Sequence, residues 1–166
     1  MLLEFPGSAM VKNYLRTVDF ESTEVKVHWT DEHGEWVRRT FTSRPDNVVV
    51  QSLTAPDGLS VNVRITVSEG GGLVVRGGQD FAGIRSRQGA QGGSSSSDNS
   101  QIDFNEQRLI IKGRLDPSVD NRGYANITRV VRDGGSAQME GNTLVVENAL
   151  SVMLLTRIEY LPDFSE

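Results

Sequence analysis

The sequence predicts an all-β fold, an antiparallel β-sandwich, on three observations. Several short runs alternate strictly between apolar and polar residues, turn formers recur at about 8 to 12 residue spacing between them, and no segment sustains a 3.6-residue period. The stretch from Tyr14 to Val67 reads as an antiparallel β-meander. Within it, Val25, Val27 and Trp29 alternate with Lys26, His28 and Thr30, the pattern of a half-buried strand. Asp31-Glu32-His33-Gly34 supplies a turn, since Gly34 can take a positive φ, and Glu35 to Ser43 returns as the second arm of a hairpin. Arg44-Pro45-Asp46 ends that arm because proline cannot donate to a ladder. Asn47 to Thr54 follows, then the turn Ala55-Pro56-Asp57-Gly58. In the final run Leu59, Val61, Val63, Ile65 and Val67 alternate with Ser60, Asn62, Arg64, Thr66 and Ser68.

The C-terminal third repeats the theme. Strands are expected over 108–115, 123–132, 136–140, 143–147 and 151–158, separated by Asp133-Gly134-Gly135, Gly141-Asn142 and Asn148-Ala149-Leu150. Gly-Asn between two runs signals a two-residue hairpin loop, because both residues reach positive φ easily. Between the two strand-rich parts, residues 77–107 read as one long flexible loop dominated by Gly, Gln, Ser, Arg and Asp, with Phe81, Ile84, Ile102 and Phe104 as its only large apolar residues.

At 166 residues the chain is expected to form a single domain, long enough to bury about 70% of its unfolded surface. The hydrophobic fraction of 37% and the 17 glycines suit a sheet-rich architecture, in which each half-buried strand gives alternate positions to solvent. A net charge of −5 leaves no basic footprint for nucleic acid. There is no cysteine, which excludes disulfides, thiolate metal sites and a cysteine nucleophile. No apolar run approaches the length of a spanning helix, and the N-terminus lacks the pattern of a signal peptide. No membrane partner and no cofactor are therefore expected.

Three segments carry a resemblance. Tyr14-Leu15-Arg16-Thr17-Val18-Asp19-Phe20, then Val25-Lys26-Val27-His28-Trp29, then Arg38-Arg39-Thr40-Phe41-Thr42-Ser43-Arg44-Pro45-Asp46-Asn47-Val48-Val49-Val50 resemble, in order, the N-terminal β-sandwich domain of glycoside hydrolase family 95. The likeness resumes at Leu109 to Arg114, runs through Tyr124 to Val130, and ends in Leu144-Val145-Val146 and Val152 to Leu155. It implies a super-sandwich of the galactose-mutarotase type, and a parent that hydrolyses α-L-fucosides by inversion in a separate (α/α)6 barrel. The barrel and fucosylated glycans are the partners so implied, in a bacterial parent whose localisation, secreted or periplasmic among the options, stays open. The glycine-rich and Asn-Glu-Asp-Thr runs that open such domains do not occur here. Met1 to Phe5 instead is similar to a strand from their middle, so the chain is expected to be part of a sandwich domain, cut at both ends. A fragment of that kind exposes a sheet edge and tends to self-associate.

Inverting glycosidases need two carboxyl groups across the sugar. Asp19, Glu21, Glu24, Asp46, Asp57 and Asp116 all sit at turn or alternating positions, and nothing in the sequence pairs any two of them. The expectation is no catalytic residue in this chain. His28 and His33 flank one turn without a third ligand, and calcium loops of the Asp-x-Asp type are missing, so no metal site is expected. Asn126-Ile127-Thr128 fits a glycosylation sequon but falls within an expected strand. Trp36, opposite Val37 on its strand, is the best exposed aromatic, and Trp29 belongs to the core. Trp36, Arg38 and Tyr124 are the candidates for a carbohydrate contact or for an inter-domain interface, since a flat ring packs equally well on a pyranose or on another domain. Two functions remain open at this level: a non-catalytic accessory domain of a glycoside hydrolase, and an independent carbohydrate-binding sandwich.

Overall fold

The computed structural model describes residues 2–4, 10–66, 100–105, 107–115, 120–141 and 143–164. Among these residues there are twelve strands and no helix: Leu2–Glu4 (β1), Lys12–Asp19 (β2), Glu24–Asp31 (β3), Gly34–Ser43 (β4), Val48–Thr54 (β5), Val61–Thr66 (β6), Ser100–Asn105 (β7), Arg108–Arg114 (β8), Gly123–Asp133 (β9), Ser136–Glu140 (β10), Thr143–Ala149 (β11) and Ser151–Leu161 (β12). They form an eight-stranded sheet in the order β2-β3-β4-β5-β12-β9-β8-β7 and a four-stranded sheet in the order β1-β6-β11-β10. Every pairing is antiparallel, so the expected all-β sandwich is what the chain adopts.

The core lies between the two sheets. Val61, Val63 and Ile65 of β6 meet Leu144 and Val146 of β11 on one side, and Leu53, Leu109, Val130, Val152 and Leu154 face them from the large sheet. The strict alternation of β6 is explained by this placement, with Val61, Val63 and Ile65 turned inward. Leu144, Val146 and Ala149 are wholly buried, as are Val61 and Ile65.

The meander expected from Tyr14 to Val67 holds only through β5. After the turn at Pro56 to Leu59, where the Leu59 N–H donates to the Pro56 carbonyl at 3.1 Å, the chain leaves the large sheet and β6 enters the small one between β1 and β11. Two further crossings join the sheets at one corner, β9 to β10 through Gly134-Gly135 and β11 to β12 through Leu150. The N–H of Leu150 donates to the Asp133 carbonyl at 2.8 Å, tying the two crossings together.

Of the loop expected over 77–107, residues 77–99 lie outside the described residues, as do Val67 and Ser68 of the strand before it. Residues 100–105 differ from the expectation: they form β7, paired with β8 from Ser100↔Gly113 to Asn105↔Arg108. An edge strand pairs on one side only, so its sequence needs little apolar content. Leu2–Glu4 likewise enters a sheet, pairing with β6 through Leu3↔Ile65.

Candidate functional site

Ladder registers decide which candidate residues share a face. The turn at Asp31↔Gly34 places Trp29 opposite Trp36 and Val27 opposite Arg38. The two indoles stack with centroids 6.1 Å apart and planes 6° from parallel. Both pack against the core, so Trp36, expected on the exposed side, is half-buried on the inner face. Its Nε1 is buried and without a partner. Arg38, two residues on, also turns inward. It lines a cavity of about 20 Å³ with Leu3, Leu53, Val63 and Ile65, and its buried Nε has no partner either. Tyr124 stands three strands away in β9, so the three candidates do not converge on one site.

Tyr124 belongs to a second group that sequence reasoning missed. The β9–β12 ladder sets Tyr160 opposite Tyr124 and Ile158 opposite Asn126. Tyr124 folds across Gly113 of β8, where an added Cβ would lie 2.7 Å from the tyrosine hydroxyl. Nearby, the Arg122 side chain donates to the Asp120 carboxylate, and this bond, with a smaller contribution from Tyr160, raises the guanidinium pKa above its ordinary value. On the opposite face of the same strand ends, Phe164 is buried against Gly123 while the Arg114 guanidinium lies 5.0 Å over its ring.

Several of the acidic side chains are engaged in structure. Asp19 accepts from the N–H groups of Glu21 and Ser22 and from the Ser22 hydroxyl, closing the β2–β3 turn, and these bonds lower its pKa. Asp46 accepts from the Ser43 hydroxyl at 2.6 Å. Asp116 lies outside the described residues. Among the described residues no group of three His, Asp or Glu side chains is placed to hold a metal ion. His28 Nδ1 sits 3.2 Å from Glu35 Oε1 across the hairpin, and the His33 N–H donates to Asp31.

Glu24 is almost wholly covered, on the outer face of the large sheet. The Arg39 Nε–H donates to it and Lys26 Nζ lies 3.2 Å away. The hydrogen bond from Arg39 comes first, and the Lys26 contact adds to it against the opposing cost of burial. Together they hold the carboxyl below its ordinary value of 4.5. A depressed folded-state pKa contributes stability that is fully present above the unfolded value and is lost as pH falls through the folded one. The expected result is that Glu24→Gln lowers the urea midpoint at neutral pH, and that the two curves converge as pH drops below 4.5. A gap that persists unchanged into acid contradicts the ion-pair account.

The far edge of the large sheet is open. All eight residues of β2 are exposed, and the wing carries Met10, Tyr14, Leu15 and Val18 before ending in Phe20, which is 89% exposed. Leu15 pairs with His28 on the outer face, and Val18 pairs with Val25 on the inner one, so apolar side chains project from both sides of the same edge strand.

Two unequal antiparallel sheets around an apolar interior, with several of the described carboxylates engaged in turns and ion pairs, define a β-sandwich domain. The chain belongs to the glycosyl hydrolase family 65 N-terminal domain family, whose model matches residues 1–160. Among solved structures, one described as a kojibiose phosphorylase from the human microbiome aligns with a TM-score of 0.57 at 7% identity, covering 99% of this chain and 22% of that one. At that identity the likeness is one of fold, and the chain spans about a fifth of the length of that protein. A search of curated proteins finds no match. The expected membership of family 95 is thus corrected to family 65. The reason is physical: the quoted segments encode strands and turns, as where the Asn47 N–H donates to the Arg44 carbonyl at 3.2 Å to close the β4–β5 turn. Such patterns specify a sandwich and carry no information about a sugar.

Proposed function

We propose that this chain is the non-catalytic sandwich domain of a larger carbohydrate-active enzyme, and that its open wing packs against a separate catalytic (α/α)6 barrel in the parent. The observation that carries this reading is β2. It is exposed along its whole length and carries Tyr14, Leu15 and Val18, with Met10 and Phe20 beyond its ends, and clustered exposed apolar side chains mark interfaces. Membership of an N-terminal domain family, and a similar structure about four and a half times as long, support a parent with further domains. For that parent, the family and the named relative favour a disaccharide of the kojibiose kind, cleaved by phosphate or water. They give no support to α-L-fucosides or fucosylated glycans.

The test compares hydrogen exchange in the isolated chain and in the parent enzyme. The amides of β2 are expected to gain protection only in the parent, and the isolated chain to turn over neither kojibiose with phosphate nor an aryl glycoside. Leu15→Asp and Val18→Asp, at exposed positions, leave the isolated chain within about 0.5 kcal/mol of wild type and weaken the parent. Turnover by the isolated chain, or a wing that stays unprotected in the parent, overturns the proposal.

A further inference from the structure

We infer that the Tyr160–Tyr124 end of the large sheet's inner face is a shallow binding site for a neutral pyranose, one or two sugar units long. The site is distinct from the wing. It lies on β12 and β9, four and five strands from β2 in the sheet order, and goes beyond the docking role proposed above.

The argument begins with what the small sheet leaves uncovered. Its strands cover Val152, Leu154 and Val130, but the next rows of the same face emerge: Ile158 is 63% exposed and Tyr160 58%. Residues two apart along a strand share a face about 6.7 Å apart, and directly opposed residues stand about 5 Å apart. Two rows, Tyr160–Tyr124 and Ile158–Asn126, therefore tile an area matching one to two pyranose rings. Pyranoses combine a face of C–H groups with a rim of hydroxyls, and this surface offers the corresponding pair of features.

The apolar part is rigid. Tyr124 is laid across Gly113, where no side chain larger than hydrogen fits beneath it. Tyr160 stands directly opposite it on β12, and the neighbouring Arg122 is anchored twice to Asp120, through its backbone N–H at 2.9 Å and through its Nε–H. An immobile ring loses little entropy when a ligand stacks on it. The polar part adjoins it. The Thr128 hydroxyl bonds to Thr156 Oγ1 at 3.0 Å and to Asn126 Oδ1 at 3.3 Å, orienting the half-exposed Asn126 amide so that its Nδ2 donors face away from the network. Those donors suit sugar hydroxyls. Asp120 neutralises Arg122, so the site has no spare cation for an acidic sugar.

A one-sided platform buries only part of its ligand, so the dissociation constant is expected on the order of millimolar. The experiment is an NMR titration of the full chain, isotope-labelled, with glucose, maltose, kojibiose and L-fucose in separate arms. Saturable shifts centred on residues 124, 126, 158 and 160 are expected for at least one glucose-containing probe. Tyr160→Ala, at an exposed position, is expected to weaken that response about tenfold while the unfolding midpoint is retained, and Asn126→Ala to weaken it several-fold. Shifts that never saturate, shifts centred on β2, or a response equal in wild type and Tyr160→Ala overturn the site. So does a self-associated species by light scattering whose NMR spectrum responds to none of the sugars. Each of these outcomes leaves the docking role of the wing to its own test.

Discussion

Gly135→Ala is expected to destabilise the domain by about 3 kcal/mol or more, while Gly134→Ala, one residue away, costs about 1 to 2. Both glycines have positive φ, at 64° and 68°, a region where a Cβ crowds its own carbonyl. Only their surroundings differ. A Cβ on Gly134 would meet nothing within 4 Å, whereas one on Gly135 would lie 2.2 Å from the Glu147 carbonyl oxygen and 2.6 Å from the Ala149 nitrogen. Those atoms are backbone, in the second crossing between the sheets, and cannot swing aside. Ser136↔Glu147 is the first rung of the β10–β11 ladder, so displacing Glu147 also disturbs that pairing. The Arg132 guanidinium, donating to the Gly134 and Gly135 carbonyls at 2.9 and 2.6 Å, fixes the turn from the other side. Asparagine separates the two causes, because it tolerates positive φ but carries a Cβ. Urea unfolding is expected to place Gly134→Asn near wild type and Gly135→Asn near Gly135→Ala. Equal effects at the two positions would show that backbone strain, not contact between the crossings, sets the cost.

That corner also marks the limit of what the sequence discloses. Individual strands were legible because alternation and turn residues are local properties: β3, β4, β5 and β9 to β11 lie where Val, Thr and aromatic runs meet Gly, Pro and Asp. Which sheet a strand joins is not local. β6 alternates as β3 does, and nothing in Val61 to Thr66 announces that it crosses to the other layer. β7 was hidden by its polar residues, which an edge position accepts. The inward turn of Trp36 was available, since a turn pairing Asp31 with Gly34 forces Trp29 opposite Trp36, and a core Trp29 then brings its partner to the same face. The tyrosine platform needed a longer inference. Tyr124 and Tyr160 are neighbours only because Leu150 makes the crossing so short that β12 pairs with β9 in unbroken register from Ser151↔Asp133 to Leu161↔Gly123. The family was the hardest element, because strand and turn motifs are shared by sandwiches of different enzymes.

Ile65→Ala is expected to cost about 4 kcal/mol, the largest effect of any single truncation in the small sheet. Ile65 is wholly buried and stands in mid-sheet, with Leu3 opposite on β1 and Leu144 opposite on β11. Leu144 in turn faces Met139 of β10, so one row of four apolar side chains crosses the sheet, each held by its own ladder. The cost of such a truncation depends on how far the surroundings collapse into the space. Here collapse is restricted on both flanks by strand pairing, and from the large sheet by Leu53, Val152 and Leu154. Ile65 also lines the small cavity beside Arg38, so the deleted methyl groups enlarge an existing void instead of opening one that neighbours can fill. Ile65→Val, which removes one methyl group, is expected to cost about 1 kcal/mol, and Leu150→Ala, at an exposed crossing residue, close to zero. The urea midpoint should fall in that order with an unchanged slope, as for a loss of stability without a change in the surface exposed on unfolding. A domain of this size holds about 5 to 15 kcal/mol in reserve, so Ile65→Ala remains folded yet close to its limit. Should Ile65→Ala cost no more than Ile65→Val, the two sheets are not pressed together at this row, and the wedge of β6 between β1 and β11 is not what closes the sandwich.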